Sequence, residues 1–286
     1  MDDNKRLVAL VTGASSGIGV CYAAELAQKG FNVILISNQM SEVKDVAANI
    51  AQQTNSENCS FLVETDKDEN IRLVGQLPID RQWIVGLYKN LAVDNAAQKV
   101  FDFYPHIDIL INNAGVFFFN DVINCDMSRI ETIINLHIMT VTKLCRLYGE
   151  EMRNKRKGYI LNMSSISVHT PFPGISLYTA TKSYIHTFTK AFHYEMRECG
   201  VNVMVVSPGA VATDLYRLPK NLQKLGVQLG IIYKPEKLAH KAIYKLFKGR
   251  QEFIPGAINH LFKPIYMMLP TVFKMWVRKK VKFMMK

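Results

Sequence analysis

No two cysteines of this 286-residue chain stand at CxxC spacing, and the five present, Cys21, Cys59, Cys125, Cys145 and Cys199, are odd in number and widely scattered. That excludes a disulfide framework or a zinc knuckle as the organising principle and fits a reducing compartment. The seven histidines show no HExxH or other paired spacing, so no metal is expected. No Gly/Ser/Pro-rich linker divides the chain, and no apolar signal-peptide core precedes the first strand, so one cytoplasmic unit is expected. With 49% hydrophobic and 21% charged residues, disorder is excluded as well.

Acidic charge is the other shortage. There are 24 acidic against 35 basic residues, a net charge of +11, and residues 261–286 hold Lys263, Lys274, Arg278, Lys279, Lys280, Lys282 and Lys286 with no acid among them. The excess is therefore concentrated in a tail. A nucleic-acid face would spread its cations over a groove and interleave stacking aromatics, and no nucleic-acid partner is expected.

What is present is βα grammar. Short apolar runs at 7–11, 32–36, 83–88, 107–111, 159–163 and 201–206 read as strands buried on both faces, separated by helical spacing at 17–29, 41–53, 128–153 and 178–199. Ser41 is placed to cap the second helix, and Gly30 and Gly200 to stop the first and last. This alternation predicts an α/β fold, a Rossmann-type doubly wound parallel sheet with helices on both faces, in a single domain over 1–256. Residues 54–82 do not follow it. They read as an insertion, either a hairpin or an extra turn of helix.

Between the first strand and helix lies Thr12-Gly13-Ala14-Ser15-Ser16-Gly17-Ile18-Gly19. Small residues and glycines there let the chain turn tightly and bring backbone N–H groups and the helix N-terminus toward a phosphate; the cofactor-binding set is Gly13, Ser15, Ser16, Gly17, Ile18 and Gly19, with Gly17 and Gly19 serving close approach and helix packing. At the end of the second strand, NAD sites place an acid on the ribose hydroxyls and NADP sites a base beside the 2′-phosphate. Ser37 and Asn38 stand there instead. Without the acid nothing excludes NADP(H), which is favoured over NAD(H).

Tyr178 and Lys182 are four apart on a predicted helix and share a face. A tyrosine ordinarily ionises near about 10, and an adjacent ammonium stabilises the phenolate, bringing the acid toward working pH. Ser165 follows the strand at 159–163, in the crevice where parallel sheets bind ligands, with Ser164 as the competing hydroxyl.

With these residues in order, the sequence resembles the short-chain dehydrogenase/reductase family, in its hydroxysteroid dehydrogenase and 3-ketosphinganine reductase-like branch. The match runs through the glycine loop, Asn112-Asn113-Ala114-Gly115, Ser165, Tyr178-x-x-x-Lys182 and Pro208-Gly209 with Val211 and Thr213, over roughly residues 6 to 215. The resemblance implies that Asn135 is the active-site asparagine behind the lysine. It implies that Asn113, Ala114 and Gly115 line the adenosine side and Pro208 to Thr213 the nicotinamide side. It also has Lys182 on the nicotinamide ribose, Asn90 at the usual adenine-contacting aspartate, and a homo-oligomer. Hydride would move between the nicotinamide and a carbonyl carbon while Tyr178 protonates the oxygen that Ser165 holds.

Two apolar stretches bear on the substrate. Residues 214–233, with Leu215, Tyr216, Leu218, Leu222, Leu225, Val227, Leu229, Ile231 and Ile232, read as a lid over a hydrophobic ketone or alcohol, steroid-like or long-chain. Residues 257–286 mix apolar and basic side chains, interrupted by Pro264 and Pro270 well short of the about 18 clean apolar residues of a spanning helix. An amphipathic contact with the inner face of a membrane is the expectation for this tail. The alternative to an enzyme is a cofactor-binding regulatory protein of the same fold without turnover.

Overall fold

The computed structural model describes residues 6–58, 63–65, 71–73, 77, 80–93, 95–170, 172–213, 220–230, 232–256 and 270–280. Its centre is an all-parallel sheet in the order β3-β6-β2-β1-β7-β8-β9-β10. The inner strands are β1 (Val8–Thr12), β2 (Asn32–Ser37), β6 (Trp83–Tyr88), β7 (Ile109–Asn112), β8 (Gly158–Met163) and β9 (Val201–Val206). All six apolar runs become strands because each is covered on both faces. All six residues of β2 are buried.

Alternation along the strands feeds two cores. Ala9, Val11, Val33 and Leu35 pack with Tyr22 and Leu26 of α1 (Gly17–Gln28), Val43 of α2 (Met40–Thr54) and Leu238 of α8 (Pro235–Phe247). Leu10, Ile34 and Ile36 face the other way. They meet Val100 of α3 (Ala96–Phe103), Tyr148 of α5 (Val141–Lys155) and Ile185 of α6 (Ser176–Arg197).

Several details differ from the sequence expectation. Helix α2 begins after Gln39, and Ser41 bonds the Glu42 carboxylate instead of capping. The long helix at 128–153 is three pieces: α4 (Met127–Ile134), a π segment (Asn135–Thr140) and α5. The insertion holds β3 (Glu57–Asn58), which joins the sheet edge on β6, and an antiparallel pair, β4 (Val63–Thr65) with β5 (Ile71–Leu73). At the far edge β10 (Glu252–Phe253) pairs with β9, and α7 (Lys220–Gln228) and α9 (Thr271–Lys280) complete the described elements. Residues 214–219 and 231 of the expected lid, and 257–269 and 281–286 of the tail, lie outside the described residues.

Strand order reverses at β1, whose neighbours are β2 on one side and β7 on the other. The connections leaving β1 and β7 must diverge there, which opens a crevice at the carboxyl ends of the strands.

Candidate active site

That crevice is a cleft of about 1320 Å³. On one wall Gly13 takes φ 65°, a left-handed conformation, and a Cβ there would lie 2.7 Å from the Ala114 Cα. The loops after β1 and β7 therefore touch backbone to backbone. Asn113 locks them together, its Nδ2 donating to the carbonyls of Thr12 at 3.0 Å and Gly13 at 3.2 Å, while Thr12 Oγ1 accepts the N–H groups of Asn113 and Ala114. Helix α1 opens on the cleft at Gly17. Such a cradle of glycines and small residues at a helix N-terminus fits a phosphate. Beside it Ser37 Oγ donates to Ser15 Oγ at 2.8 Å, and Ser15 Oγ to Gln39 Oε1 at 2.7 Å, so this end is polar and uncharged up to Lys89, which also lines the cleft.

Tyr178, Lys182 and Ser165, all buried, line the same cleft. Lys182 Nζ donates to the Met163 carbonyl at 2.9 Å and stands 5.8 Å from the centre of the Tyr178 ring. Burial pushes its pKa down to about 7, since no carboxylate compensates the lost hydration. Ser164 donates its hydroxyl proton to the Lys182 carbonyl at 2.8 Å, which fastens β8 to α6. Ser165 instead accepts the Ser167 N–H at 3.2 Å at the start of a 3₁₀ turn, so its proton is directed elsewhere. Ser165 is the hydroxyl available to a substrate.

The structure brings nearly all the expected residues to this cleft: Gly13, Ser15, Ser16, Gly17 and Ile18; Ser37, Asn38 and Asn90; Asn113, Ala114 and Gly115; and Pro208, Gly209, Val211 and Thr213. Two stand apart. Gly19 is off the wall, and a Cβ there would be 2.1 Å from the Gly13 carbonyl oxygen. Asn135 opens the π segment and borders a separate small hollow with Val93, Asn95 and Lys143. The π turn adds a residue to the helical repeat and rotates the residues beyond it. The side chain it turns toward Tyr178 and Lys182 is His137, fully buried, which the sequence pattern did not single out.

The described part of the lid is less apolar toward the cleft than its composition implied. Gln223, Lys224, Val227 and Gln228 of α7 line it, whereas Leu225 and Leu229 are exposed and Ile232 packs beneath Gly226. Among the described residues one trio, His169, His186 and Glu252, brings metal-ligand atoms within 4.8 Å. Glu252 is already held by His186 at 2.9 Å and Lys190 at 3.3 Å, which keep its carboxyl down at about 2 and tie β10 to α6. That network is an anchor for the edge strand.

Comparison with known proteins agrees with the geometry. Residues 7–92 and 83–221 match the family profile described as short chain dehydrogenase. The chain is 30% identical over 224 residues to mouse (Mus musculus) 17-beta-hydroxysteroid dehydrogenase type 3, covering 74% of this chain and 63% of that protein. It is 33% identical over 223 residues to human (Homo sapiens) very-long-chain 3-oxoacyl-CoA reductase, covering 74% and 62%. It thus spans about three fifths of the length of the first curated relatives it matches. Among solved structures, a short-chain dehydrogenase from Sphingobium yanoikuyae in complex with NADPH superposes with a TM-score of 0.71 at 22% identity over 87% of each chain. A 7beta-hydroxysteroid dehydrogenase gives 0.75 at 21% identity over 93% of this chain and 97% of that one.

Proposed function

Because the chain belongs to the short chain dehydrogenase family, we propose that it is an NAD(P)-dependent oxidoreductase that interconverts a ketone and a secondary alcohol on a hydrophobic substrate. The observation that carries this reading is that Tyr178, Lys182 and Ser165 line the same cleft as the glycine cradle. A bound nicotinamide dinucleotide supplies or takes the hydride. Tyr178 donates its phenolic proton to the substrate oxygen, and Ser165 donates a hydrogen bond to that same oxygen. Lys182, desolvated and next to the ring, stabilises the phenolate left behind. The reverse reaction runs through the same groups. The test is oxidation of NADPH in the presence of a 17-ketosteroid and a long-chain 3-oxoacyl-CoA, the substrate classes that the relatives' names carry. Turnover with either supports the enzyme, and tight NADPH binding with no turnover on any ketone supports a regulatory protein.

NADP(H) is the preferred cofactor in this reading. Lys89 donates its backbone N–H to the Ser37 carbonyl at 2.7 Å, so it sits beside Ser37 and Asn38, where a 2′-phosphate lies in such folds. It brings to that end the positive charge that neither of those two residues has. Replacing Lys89 with alanine is expected to weaken NADPH binding about tenfold and NADH binding little, since a charge-assisted contact is worth about 1.5–3 kcal/mol. Titration of both cofactors by nicotinamide fluorescence reads the ratio, and an unchanged ratio removes Lys89 from the 2′-phosphate.

A membrane surface is the proposed partner of the tail. Arg278 of α9 is ion-paired with Asp121, which pins the helix beside a short turn where Ile123 is 93% exposed. Val272, Phe273, Met275 and Trp276 of α9 are exposed on a helix that also carries Lys274 and Lys279. Apolar side chains amid cations suit an anionic interface, and no described helix is long and apolar enough to cross a membrane. The protein should float with vesicles containing phosphatidylserine, and Phe273→Ser with Trp276→Ser should abolish it. Equal flotation of both proteins ends this assignment.

A further inference from the structure

We infer that His137 is a positioning residue that holds the ring and backbone of Tyr178 against the loop after β7, as a neutral imidazole with its proton on Nδ1. The inference rests on the reading of Tyr178 as the acid. The hydrogen bonds determine the tautomer. The Val116 N–H donates to His137 Nε2 at 3.1 Å, so Nε2 carries a lone pair. Thr181 Oγ1 donates to the Tyr178 carbonyl at 2.9 Å, so its proton is already committed, and the 2.9 Å contact with His137 Nδ1 must be filled by a proton on the imidazole. The relay from Val116 through His137 and Thr181 to Tyr178 has every donor matched to an acceptor.

The same imidazole also touches the tyrosine from the side. Its ring centre lies 6.0 Å from that of Tyr178 at 74°, and Phe117 approaches the phenol at 5.0 Å and 83°. Phe117 belongs to the loop that His137 fastens through Val116, so both edge contacts on the phenol depend on one side chain. Lys182 is close as well: a Cβ on Gly115 would lie 3.0 Å from His137 Nε2 and 3.5 Å from Lys182 Nζ. The two nitrogens therefore border the same space, and a side chain at Gly115 would press on His137 Nε2.

Protonation of His137 would undo this arrangement. Nε2 would become a donor facing the Val116 N–H, and a second cation would stand beside Lys182. The titratable groups that the described residues bring against it are Tyr178 and Lys182, both from α6, and with the phenol protonated neither carries a negative charge that could compensate a positive one. Burial first, and Lys182 second, hold the imidazole well below its ordinary range. The relay is complete at neutral pH and breaks on the acid side, below where a solvent-exposed histidine would titrate.

The test uses the full chain with His137→Phe, which removes both bonds, and His137→Gln, whose amide can still accept from Val116 but does not titrate. His137→Phe should lower kcat for ketone reduction at least about tenfold, equivalent to one bond's worth of about 1.4 kcal/mol, with KM changed much less. His137→Gln should recover most of kcat and carry activity to lower pH than the wild type. A folded His137→Gln protein with the wild-type acid limb overturns the inference, even if His137→Phe does not fold. A second readout needs no substrate: phenolate difference absorbance, each protein against its own Tyr178→Phe counterpart, isolates the ionisation of Tyr178. Loss of the histidine should raise that midpoint by about one pH unit, and an unmoved midpoint overturns the positioning role. Absence of turnover in the wild type refutes the proposed function alone, because the absorbance titration still decides the role of His137.

Discussion

Tyr178→Phe is expected to lower ketone turnover by about a hundredfold to ten-thousandfold, the range that a positioned general acid supplies. The dinucleotide should bind nearly as before. The phenol oxygen is the only atom removed, the ring is held at its edge by Phe117 and His137, and the backbone carbonyl still accepts from Thr181. The glycine cradle does not involve the hydroxyl, so fluorescence titration with NADPH should give a dissociation constant within about threefold of wild type, well under the about 1.4 kcal/mol of a tenfold change. Turnover surviving at more than a tenth of the wild-type rate would remove Tyr178 as the acid. A parallel loss of NADPH binding would show instead that the substitution deforms the cleft.

The second large effect is expected from a residue outside the cleft wall. Gly19→Ala would place a methyl 2.1 Å from the Gly13 carbonyl oxygen, far inside van der Waals contact, and the nearby Asn113 Nδ2, 2.7 Å from the same point, leaves no room to retreat. Both obstacles belong to the staple between the loops after β1 and β7. Overpacking of this kind costs about 1–3 kcal/mol and occasionally more. Because α1 must move away from the cradle, NADPH affinity should fall at least about tenfold, which is only about 1.4 kcal/mol of the strain. Thermal melts with and without NADPH measure both: a lower midpoint for the free protein and a smaller shift on adding the dinucleotide. A variant with unchanged melting and unchanged NADPH shift would show that the helix is free to slide.

These two residues mark what was legible in the sequence. The inner strands were readable because each is a short apolar run buried on both faces, and Trp83–Tyr88 and Val201–Val206 have the expected limits. The glycine loop, Ser165, Tyr178 and Lys182 were readable from their order along the chain. Legibility ended where geometry departs from periodicity. Two-residue strands such as Glu57–Asn58 and Glu252–Phe253 have no pattern to detect, because their pairing is decided by neighbours distant in sequence. The π segment was invisible for a related reason. A reading at 3.6 residues per turn carries one phase through residues 128–153, while the wider turn resets it, so that Asn135 borders the small hollow and His137 faces Tyr178. A buried histidine on an otherwise apolar stripe is the one trace it left. Ser41, a good capping residue by type, stands one position inside its helix and bonds its neighbour instead.

The brevity of the two outer strands has a consequence for how molecules of this protein meet in solution. A long bare strand offers a row of unsatisfied amides on which another chain can polymerise. Here each described edge pairs over only two residues, and at one of them Glu252 is an acid held by His186 and Lys190. Neither margin is a template for adding a ninth strand. Edge-to-edge strand addition is therefore blocked at both described margins, and the apolar interior of the sheet is guarded against fibre-like growth.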